Sequence, residues 1–442
     1  NGSIITQEIP APTTQFYIQN ITLTINLNKY IFNPEENITI SGHAVLQPDG
    51  TNITNNMIHI WIDENPITSS CDRSEPPCIL NSGAYIPALN GTWSYRKPIT
   101  INNSLNPENL TDYQIHINIT YNPHMQPDFD DIRFTWLNIS SNQEQKIPYW
   151  IEQKTDSQWA TVWIKVPHIP ANGTATVYLY YGNPQAQSES NGTQVFEFFD
   201  DFEETILDTS KWSDNTGGYS IADGEITFHS QDTNWKYIKS IQSFGPNTAF
   251  WYRIAYKGDW GGEGTKYDGL KYNALGGTLS YSLSGDNGDF LGFGEGISDW
   301  IHTAACGDGI NSHKEGTGFK PGGITSKSYH EVELYWMEDK TQLRLKRLDT
   351  GDVFEQSYTT YIPNDNMYFV FGVKGTSAYE RRIYVDLVLT RKYTSPEPTY
   401  SIGSEQIITS TDSSGNYNYT LQAPLEAGTY TLKINLTNPQ GI

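Results

Sequence analysis

The sequence predicts an all-β protein composed of several β-sandwich domains. Three observations lead to this fold class. At 442 residues the chain exceeds what one hydrophobic core normally organises. Aromatic residues make up 13% of it, with 29 tyrosines and 12 tryptophans, a composition that suits half-buried pleated strands. Short runs in which apolar and polar side chains alternate recur from one end of the chain to the other.

Near the start of the chain, three such runs predict strands with one wet face: Ile21–Leu27, Asn37–Val45 and Met57–Ile62. The stretches 33–36 and 47–50 between them are turn signals, because Pro fixes φ and Gly permits unusual φ. This spacing of strands and turns is typical of an immunoglobulin-like sandwich. Only the first half of such a sandwich lies in this part of the chain.

The second half lies at the far end. Residues 407–437 combine the block Thr411-Asp412-Ser413-Ser414-Gly415-Asn416-Tyr417 with the later run Gly428-Thr429-Tyr430-Thr431-Leu432. These blocks resemble the closing strands of immunoglobulin-like repeats in bacterial and archaeal surface proteins. We therefore predict one split immunoglobulin-like sandwich, residues 1–92 plus 406–442, interrupted by inserted domains, because the entropy cost of a long loop grows slowly with length. Two incomplete modules are the alternative, and each would leave open sheet edges.

The insertion begins with the motif Trp93-Ser94-Tyr95-Arg96-Lys97-Pro98-Ile99, and its first part closes with Tyr178-Leu179-Tyr180-Tyr181-Gly182-Asn183. These motifs resemble an uncharacterised domain family of archaeal-type cell-surface proteins that opens W-x-Y-R-K-P-I and closes Y-L-Y-Y-G-N. The resemblance implies a surface β-sandwich over residues 93–190. It implies no established activity, and such domains are often followed by a lectin-like sandwich.

The second inserted part covers residues 191–405. Its opening Asp200-Asp201-Phe202-Glu203, the block Leu207-Asp208-Thr209-Ser210-Lys211-Trp212 and the late strand Ile383-Tyr384-Val385-Asp386 resemble concanavalin-like or laminin-G-like jelly rolls. Residues 257–323 are rich in Gly, so we expect long surface loops there.

Sequence signals of an extracellular, cell-surface location are of two kinds. Asn-x-Ser/Thr sequons, which predict N-linked glycans, are more frequent than chance pairing would give, and none lies between residues 200 and 405. They begin at Asn1, Asn20, Asn37, Asn52, Asn90, Asn102, Asn109, Asn118, Asn138, Asn172, Asn191, Asn418 and Asn435. Cys71 and Cys78 flank a turn-forming stretch without further Cys or His at zinc-ligand spacing, so we expect a disulfide, as in oxidising compartments.

Charge and hydropathy exclude several classes of partner. The 28 basic and 50 acidic residues give a net charge of −22, which would repel nucleic acids and anionic lipid headgroups. We find no apolar stretch long enough to span a membrane directly and no secretory-type segment at the start of the sequence.

Two kinds of ligand site are candidates in the lectin-like part. Structural Ca²⁺ could bind Asp201, Glu203 and Asp386, where the first and last strands of a jelly roll meet. The Gly-rich loops offer a second acidic group, Asp286, Asp289 and Asp308. Solvated acidic side chains are the alternative at both places. The tryptophans that could stack on sugar rings are Trp235, Trp251, Trp260 and Trp300, for which core packing is the alternative.

We expect no catalytic residues and therefore no enzyme. Glu331 and Glu333 lie on one face of a predicted strand, as the carboxylates of a glycoside hydrolase would. The E-x-D-x-x-E pattern of lectin-like hydrolases fails here, because its second and third acidic positions hold Glu333 and Trp336. Cys306 has His302 near it in sequence but no third group to orient the pair, so a nucleophilic site is not predicted.

Two functions fit these observations. The first is a structural subunit of a filament, sheath or surface layer, in which copies of the chain form a homopolymer through strand edges. Residues 1–27 would then add a strand to the sheet of a neighbour. The alternative is an adhesin or carbohydrate-binding surface protein that binds a glycan through the lectin-like domain.

Overall fold

The computed structural model describes residues 4–6, 13–18, 21–27, 37–46, 57–63, 84–140, 143–214, 217–230, 234, 236–258, 274–279, 289–295, 302–308, 312–316, 328–373, 381–410, 416–422 and 431–437. Their regular secondary structure is almost entirely β-strand, which confirms the predicted all-β class. Several predicted site residues lie outside the described ranges: Cys71, Cys78, Asp286, Trp235, Trp260, Trp300, Asn1, Asn20 and Asn52. Within the described ranges, no helix has the length and apolar character needed to cross a membrane.

The first strands are β1 (Ile4–Thr6), β2 (Thr13–Ile18), β3 (Ile21–Leu27), β4 (Asn37–Leu46), β5 (Met57–Asp63), β6 (Ala84–Ile86), β7 (Gly91–Trp93), β8 (Tyr95–Asn102), β9 (Leu110–Thr120), β10 (Arg133–Asn138), β11 (Gln143–Ile147), β12 (Tyr149–Thr155), β13 (Trp159–Ile169) and β14 (Thr174–Tyr181). A 3-10 helix covers Pro87–Leu89, and the short helix α1 covers Gly192–Val195.

The next strands are β15 (Phe198–Asp200), β16 (Trp212–Asp214), β17 (Tyr219–Ala222), β18 (Glu225–Ser230), β19 (Lys236–Ser240), β20 (Thr248–Gly258), β21 (Ala274–Leu279), β22 (Asp289–Glu295), β23 (His302–Asp308), β24 (Ser312–Gly316), β25 (Ser328–Trp336), β26 (Thr341–Arg347), β27 (Val353–Tyr358), β28 (Tyr368–Val373) and β29 (Arg381–Lys392). The last are β30 (Thr399–Ile402), β31 (Gln406–Ser410), β32 (Asn416–Gln422) and β33 (Thr431–Thr437).

The chain forms two compact units. The first consists of Asn1–Val195 together with Pro396–Ile442, and the second of Phe196–Ser395. In the first unit, strands from the two ends of the chain pair with each other: β33 pairs with β1 and β5, and β32 pairs with β4. The N-terminal strands β1 and β2, which we expected to be available to a neighbour, pair with β33 and β3 of their own chain.

The largest sheet of the first unit also includes strands of the segment with the W-x-Y-R-K-P-I motif. Its order is β1-β33-β5-β31-β8-β14-β10-β11, and β30 also pairs with β8. A three-stranded sheet, β12-β13-β9, lies over this part. In β13 the burial alternates along the strand, and its buried residues share a core with buried residues of β8 and β14. Both sheets therefore bury one face in a common core.

The second unit contains two larger sheets. One has the order β17-β18-β29-β20-β25-β26-β27, with β15 also paired to β29, and the other has the order β16-β19-β28-β21-β22-β23-β24. Their apolar faces form one core that includes Trp212, Phe250, Trp336 and Phe371. Because side chains alternate along a strand, the residues between these core positions point away from the core.

The opening W-x-Y-R-K-P-I motif and the closing Y-L-Y-Y-G-N motif meet around a buried arginine. Arg96 is 4% exposed. Its Nη1 donates to Glu144 Oε1 at 2.6 Å and to the Tyr180 hydroxyl at 2.9 Å, while Nε donates to Gln406 Oε1 at 2.8 Å. The guanidinium lies 3.8 Å from the ring centroid of Tyr178. The arginine and the tyrosines of the motif therefore join strands that are far apart in sequence.

A second polar cluster fixes the segment that enters β31. Glu405 accepts hydrogen bonds from Asn122 Nδ2 at 2.8 Å and from the Tyr181 hydroxyl at 2.5 Å, and His124 Nδ1 lies 3.1 Å from its Oε1. The His124 ring stacks on Tyr95 at 3.9 Å. Burial by itself would raise the pKa of Glu405, but the hydrogen bond and charge of His124 outweigh it, and the pKa is lowered from 4.5.

This lowered pKa predicts acid sensitivity of the first unit. The carboxylate of Glu405 stabilises the folded state above about pH 4.5, and this contribution is lost as the pH falls through the lower folded-state pKa. In Glu405→Gln, the fall in unfolding free energy between about pH 7 and about pH 4 should be smaller by up to about 1 kcal/mol, because at pH 4 only part of the unfolded-state carboxyl is protonated. Urea unfolding of the wild-type chain and the variant at both pH values measures this difference in unfolding free energy. Glu397→Gln, on an exposed carboxylate of the same segment, is the control, and an equal change in both variants would contradict the assignment.

Candidate functional site

On the side of the eight-stranded sheet that points away from the core of the second unit, charged and aromatic side chains of β20 and β25 lie beside two buried leucines of β29, Leu387 and Leu389. In β20, Phe250, Tyr252 and Ile254 are fully buried in the core. Trp251 and Arg253 alternate with them and are only partly buried. In the neighbouring strand β25, Glu333 lies opposite Trp251 and Glu331 opposite Arg253. The alternation thus places an indole, a guanidinium and two carboxylates side by side on one face.

A β-bulge adds an aspartate to this face. The pairing of β20 with β29 shifts between Arg253, which lies opposite Leu387, and Ile254, which lies opposite Val385. Asp386 is therefore the extra residue, and bulges of this kind re-aim side chains. Arg253 Nη1 lies 3.2 Å from Asp386 Oδ2, and the guanidinium lies 5.7 Å from the Trp251 ring centroid. The structure thus brings together two predicted site residues, Trp251 and Asp386, through an arginine that sequence analysis missed.

The Arg253–Asp386 pair lies partly below the surface. The two side chains are 23% and 24% exposed. Burial raises the pKa of Asp386, the charge of Arg253 opposes this effect, and the charge of Glu225 adds to it. Within the described part of the chain, Arg253 Nε and Asp386 Oδ1 are buried and have no hydrogen-bond partner in another residue. The pair therefore has one donor atom and one acceptor atom below the surface that the other described residues leave unpaired.

The two glutamates of β25 belong to a cross-strand ladder of charges. Arg344 of β26 forms ion pairs with Glu333 and, at 3.1 Å, with Glu355 of β27. Lys346 lies 3.7 Å from Glu331. Each glutamate of β25 therefore has a basic side chain of β26 as its ion-pair partner.

Asp201 and Asp386 of the first predicted calcium site lie in neighbouring parts of the fold, because Asp200 of β15 pairs with Val388 of β29. Asp386 pairs with Arg253, whereas the neighbour of Asp201, Asp200, accepts hydrogen bonds from Trp212 Nε1 at 2.6 Å and from the Phe202 amide at 3.0 Å. Glu203 is exposed. In the ranges that the structure describes, no group of three or more His, Cys, Asp or Glu side chains is arranged to hold a metal ion.

The second predicted calcium site is described only in part. Asp289 and Asp308 lie opposite each other in the pairing of β22 with β23. Their juxtaposition could not be read from local sequence, because 19 positions separate them along the chain. Calcium binding at either place stays a prediction.

Most of the described sequons are accessible. The asparagines with exposed side chains are Asn90, Asn102, Asn109, Asn118, Asn172 and Asn191, and Asn138 is partly buried. Asn37, Asn418 and Asn435 lie in β4, β32 and β33, where the side chains at these positions are outside the described set. All of these positions belong to the first unit.

One protein-family model matches part of the chain. Residues 128–215 match the family described as a domain of unknown function, DUF2341. The matched range contains the closing Tyr178–Asn183 motif and begins after the opening Trp93–Ile99 motif. No curated protein matches the chain.

Solved structures with some similarity include three carbohydrate-related proteins. A glycosyl hydrolase family protein from Mycobacterium fortuitum is 13% identical, with 44% of this chain and 99% of that chain covered at a TM-score of 0.32. The Crh5 transglycosylase is also 13% identical, with 45% and 85% covered at a TM-score of 0.32. The CBM2 module of the evolved Dit protein of Lactobacillus casei BL23 phage J-1 is 14% identical, with 47% and 95% covered at a TM-score of 0.30. Similarity at this level does not establish a shared activity.

Proposed function

We propose that this chain is an extracellular carbohydrate-binding protein, and that the second unit binds a glycan on the outward face of its eight-stranded sheet. The arrangement around Trp251 carries the proposal. A sugar ring has an apolar C–H face and a rim of hydroxyl groups, so its site needs an aromatic ring next to charged or polar donors and acceptors. Trp251, with Arg253, Asp386 and Glu333 beside it, offers this combination.

The first unit supports the extracellular part of the proposal. Six of its described sequon asparagines are exposed, as N-glycosylation requires. The net charge of −22 suits a soluble surface that does not bind nucleic acid. We propose binding without hydrolysis, because Glu331 and Glu333 have cationic partners in β26. Assembly of copies into a filament has only the sequence pattern in its favour, since β1 and β2 pair within their own chain.

Replacement of Trp251 tests the proposal. Trp251→Ala should weaken binding of the full chain to its best glycan by at least about tenfold, a loss of about 1.4 kcal/mol, because the stacking surface is removed. A glycan array with the wild-type chain identifies the glycan, and calorimetric titration measures both affinities. Asp386→Asn, which keeps the shape and removes the charge, should also weaken binding.

Trp159→Ala is the matched control, since it removes a tryptophan from the first unit and should leave the affinity unchanged. The proposed glycan site is ruled out if Trp251→Ala binds the glycan with unchanged affinity, or if the wild-type chain binds no glycan.

A further inference from the structure

The outward face of the sheet β12-β13-β9 in the first unit carries a row of aromatic rings. Trp150, Trp163 and His116 lie opposite one another across the three strands. The His116 ring stacks on Trp163 with 4.6 Å between centroids. Trp163 Nε1 donates to Glu152 Oε2 at 2.7 Å, and His116 Nε2 lies 3.3 Å from the same oxygen. These contacts hold the rings in place on a sheet face that is turned away from the core.

The same face bears an exposed indole. Trp159 precedes Trp163 by four positions on β13, so both side chains point outward, and Trp159 is 39% exposed. It lies opposite Thr120 of β9. The indole of Trp159 therefore offers an accessible ring surface on the same face as the aromatic row.

A glycosylation sequon lies next to this indole. In Asn118-Ile119-Thr120 of β9, Asn118 and Thr120 are exposed on the aromatic face, whereas Ile119 is buried in the core. Asn118 lies opposite Thr161, so Trp159 and Trp163 are its diagonal neighbours. Diagonal neighbours across antiparallel strands are about 7 to 8 Å apart, within reach of an aromatic side chain.

From this placement we infer that Asn118 carries an N-linked glycan whose first sugar packs on the indole of Trp159. Asn118 Nδ2 attacks C1 of a lipid-pyrophosphate-linked sugar. The C1–N bond forms as the C1–O bond breaks, the lipid pyrophosphate leaves with the electron pair, and the amide proton passes to a base of the transferase. The sugar then lies between its attachment point and the indole, with its C–H face on the ring.

Two other exposed apolar side chains of the first unit are also placed at sequons. Ile139 is the middle residue of Asn138-Ile139-Ser140, and Leu105 directly follows Asn102-Asn103-Ser104. Together with Trp159, they are the exposed large apolar side chains in the described part of this unit. Glycans at these positions would shield the apolar surface that the fold leaves open. Trp159 differs from the other two because it lies on β13, whereas the sequon of Asn118 lies on β9. Its contact with the sugar can therefore be removed without changing the sequon.

The inference is tested with the full chain secreted from a eukaryotic host that glycosylates asparagine, and with the same chain from a bacterial host that does not. Peptide mass spectrometry should find a glycan on Asn118. In the glycosylated chain, Asn118→Gln should lower the melting temperature of the first unit by roughly 2 to 4 °C. Asn109→Gln is the control at another exposed sequon: Asn109 Oδ1 accepts a hydrogen bond from the Ala171 amide at 2.9 Å with or without a glycan, so the substitution should lower the melting temperature by the same amount in the chains from both hosts.

The packing contact is tested by combining Asn118→Gln with Trp159→Thr. In the glycosylated chain the decreases in melting temperature caused by the two substitutions should not be additive, because either substitution removes the same contact between sugar and indole. Trp159→Thr should lower the melting temperature of the glycosylated chain by more than that of the bacterial chain, which loses only the packing of the indole on its own sheet. The inference is overturned if Asn118 stays unmodified while Asn109 is modified, or if the two losses add. Binding of a soluble polysaccharide by Trp159, without coupling to Asn118, would also overturn it.

Discussion

Arg96→Met should lower the unfolding free energy of the first unit by about 3 to 5 kcal/mol, the usual cost of removing one partner of a buried ion pair. Arg96 and Glu144 are 5% and 12% exposed at their side chains. Glu144 accepts hydrogen bonds from Arg96, from the Tyr180 hydroxyl at 2.7 Å and from Thr135 Oγ1 at 2.6 Å. Without the arginine, a carboxylate would remain in the interior with hydroxyl groups as its only partners in this cluster.

Urea unfolding followed by tryptophan fluorescence measures this loss. The control is Lys154→Met, which removes the cation of an exposed pair with Asp156 whose side chains are 36% and 64% exposed. Surface pairs of this kind contribute less than about 1 kcal/mol, so the two variants should differ several-fold. Arg96→Met combined with Glu144→Leu should recover part of the stability, because the unpaired charge is removed together with its partner. Similar small losses in Arg96→Met and Lys154→Met would contradict the role of this pair.

The strands of the first unit show what local sequence can predict. The predicted runs Ile21–Leu27, Asn37–Val45 and Met57–Ile62 correspond to β3, β4 and β5, with ends that differ by at most one residue. Apolar and polar residues alternate with the period of a strand, and this signal is contained within each run. Turn residues then fix where the runs end.

The candidate site could be predicted only in part, because its geometry depends on long-range pairing. Trp251 and Asp386 were candidates from their residue types, but Arg253, which joins them, is 133 positions from Asp386. The contact also depends on a bulge in β29, for which the local sequence has no signal. Similarly, Thr399–Ile402 lies in a stretch assigned from sequence to the lectin-like part, yet it pairs with β8 of the first unit. Pairing partners are set by the tertiary fold and not by a strand's own residues.

Gly182→Ala should destabilise the first unit by about 3 kcal/mol or more, because two costs add. Gly182 has a φ of +85°, a conformation that costs a residue with a Cβ atom about 1 to 3 kcal/mol. A Cβ atom at this position would also lie 2.6 Å from Cδ2 of Tyr95. Tyr95 is 5% exposed and stacks on His124, so its ring cannot move aside without loss of packing.

Gly351→Ala separates the two costs. Gly351 has a φ of +77°, but a Cβ atom there would meet nothing within 4 Å, so only the backbone strain remains. Gly351→Ala should lower the unfolding free energy of the second unit by about 1 kcal/mol, measured on the unfolding transition of that unit. If Gly182→Ala were no more destabilising than Gly351→Ala, the close approach to Tyr95 would not matter. A large difference means that the glycine of the Y-L-Y-Y-G-N motif is needed for packing: its missing side chain leaves room for the tyrosine of the opening W-x-Y-R-K-P-I motif.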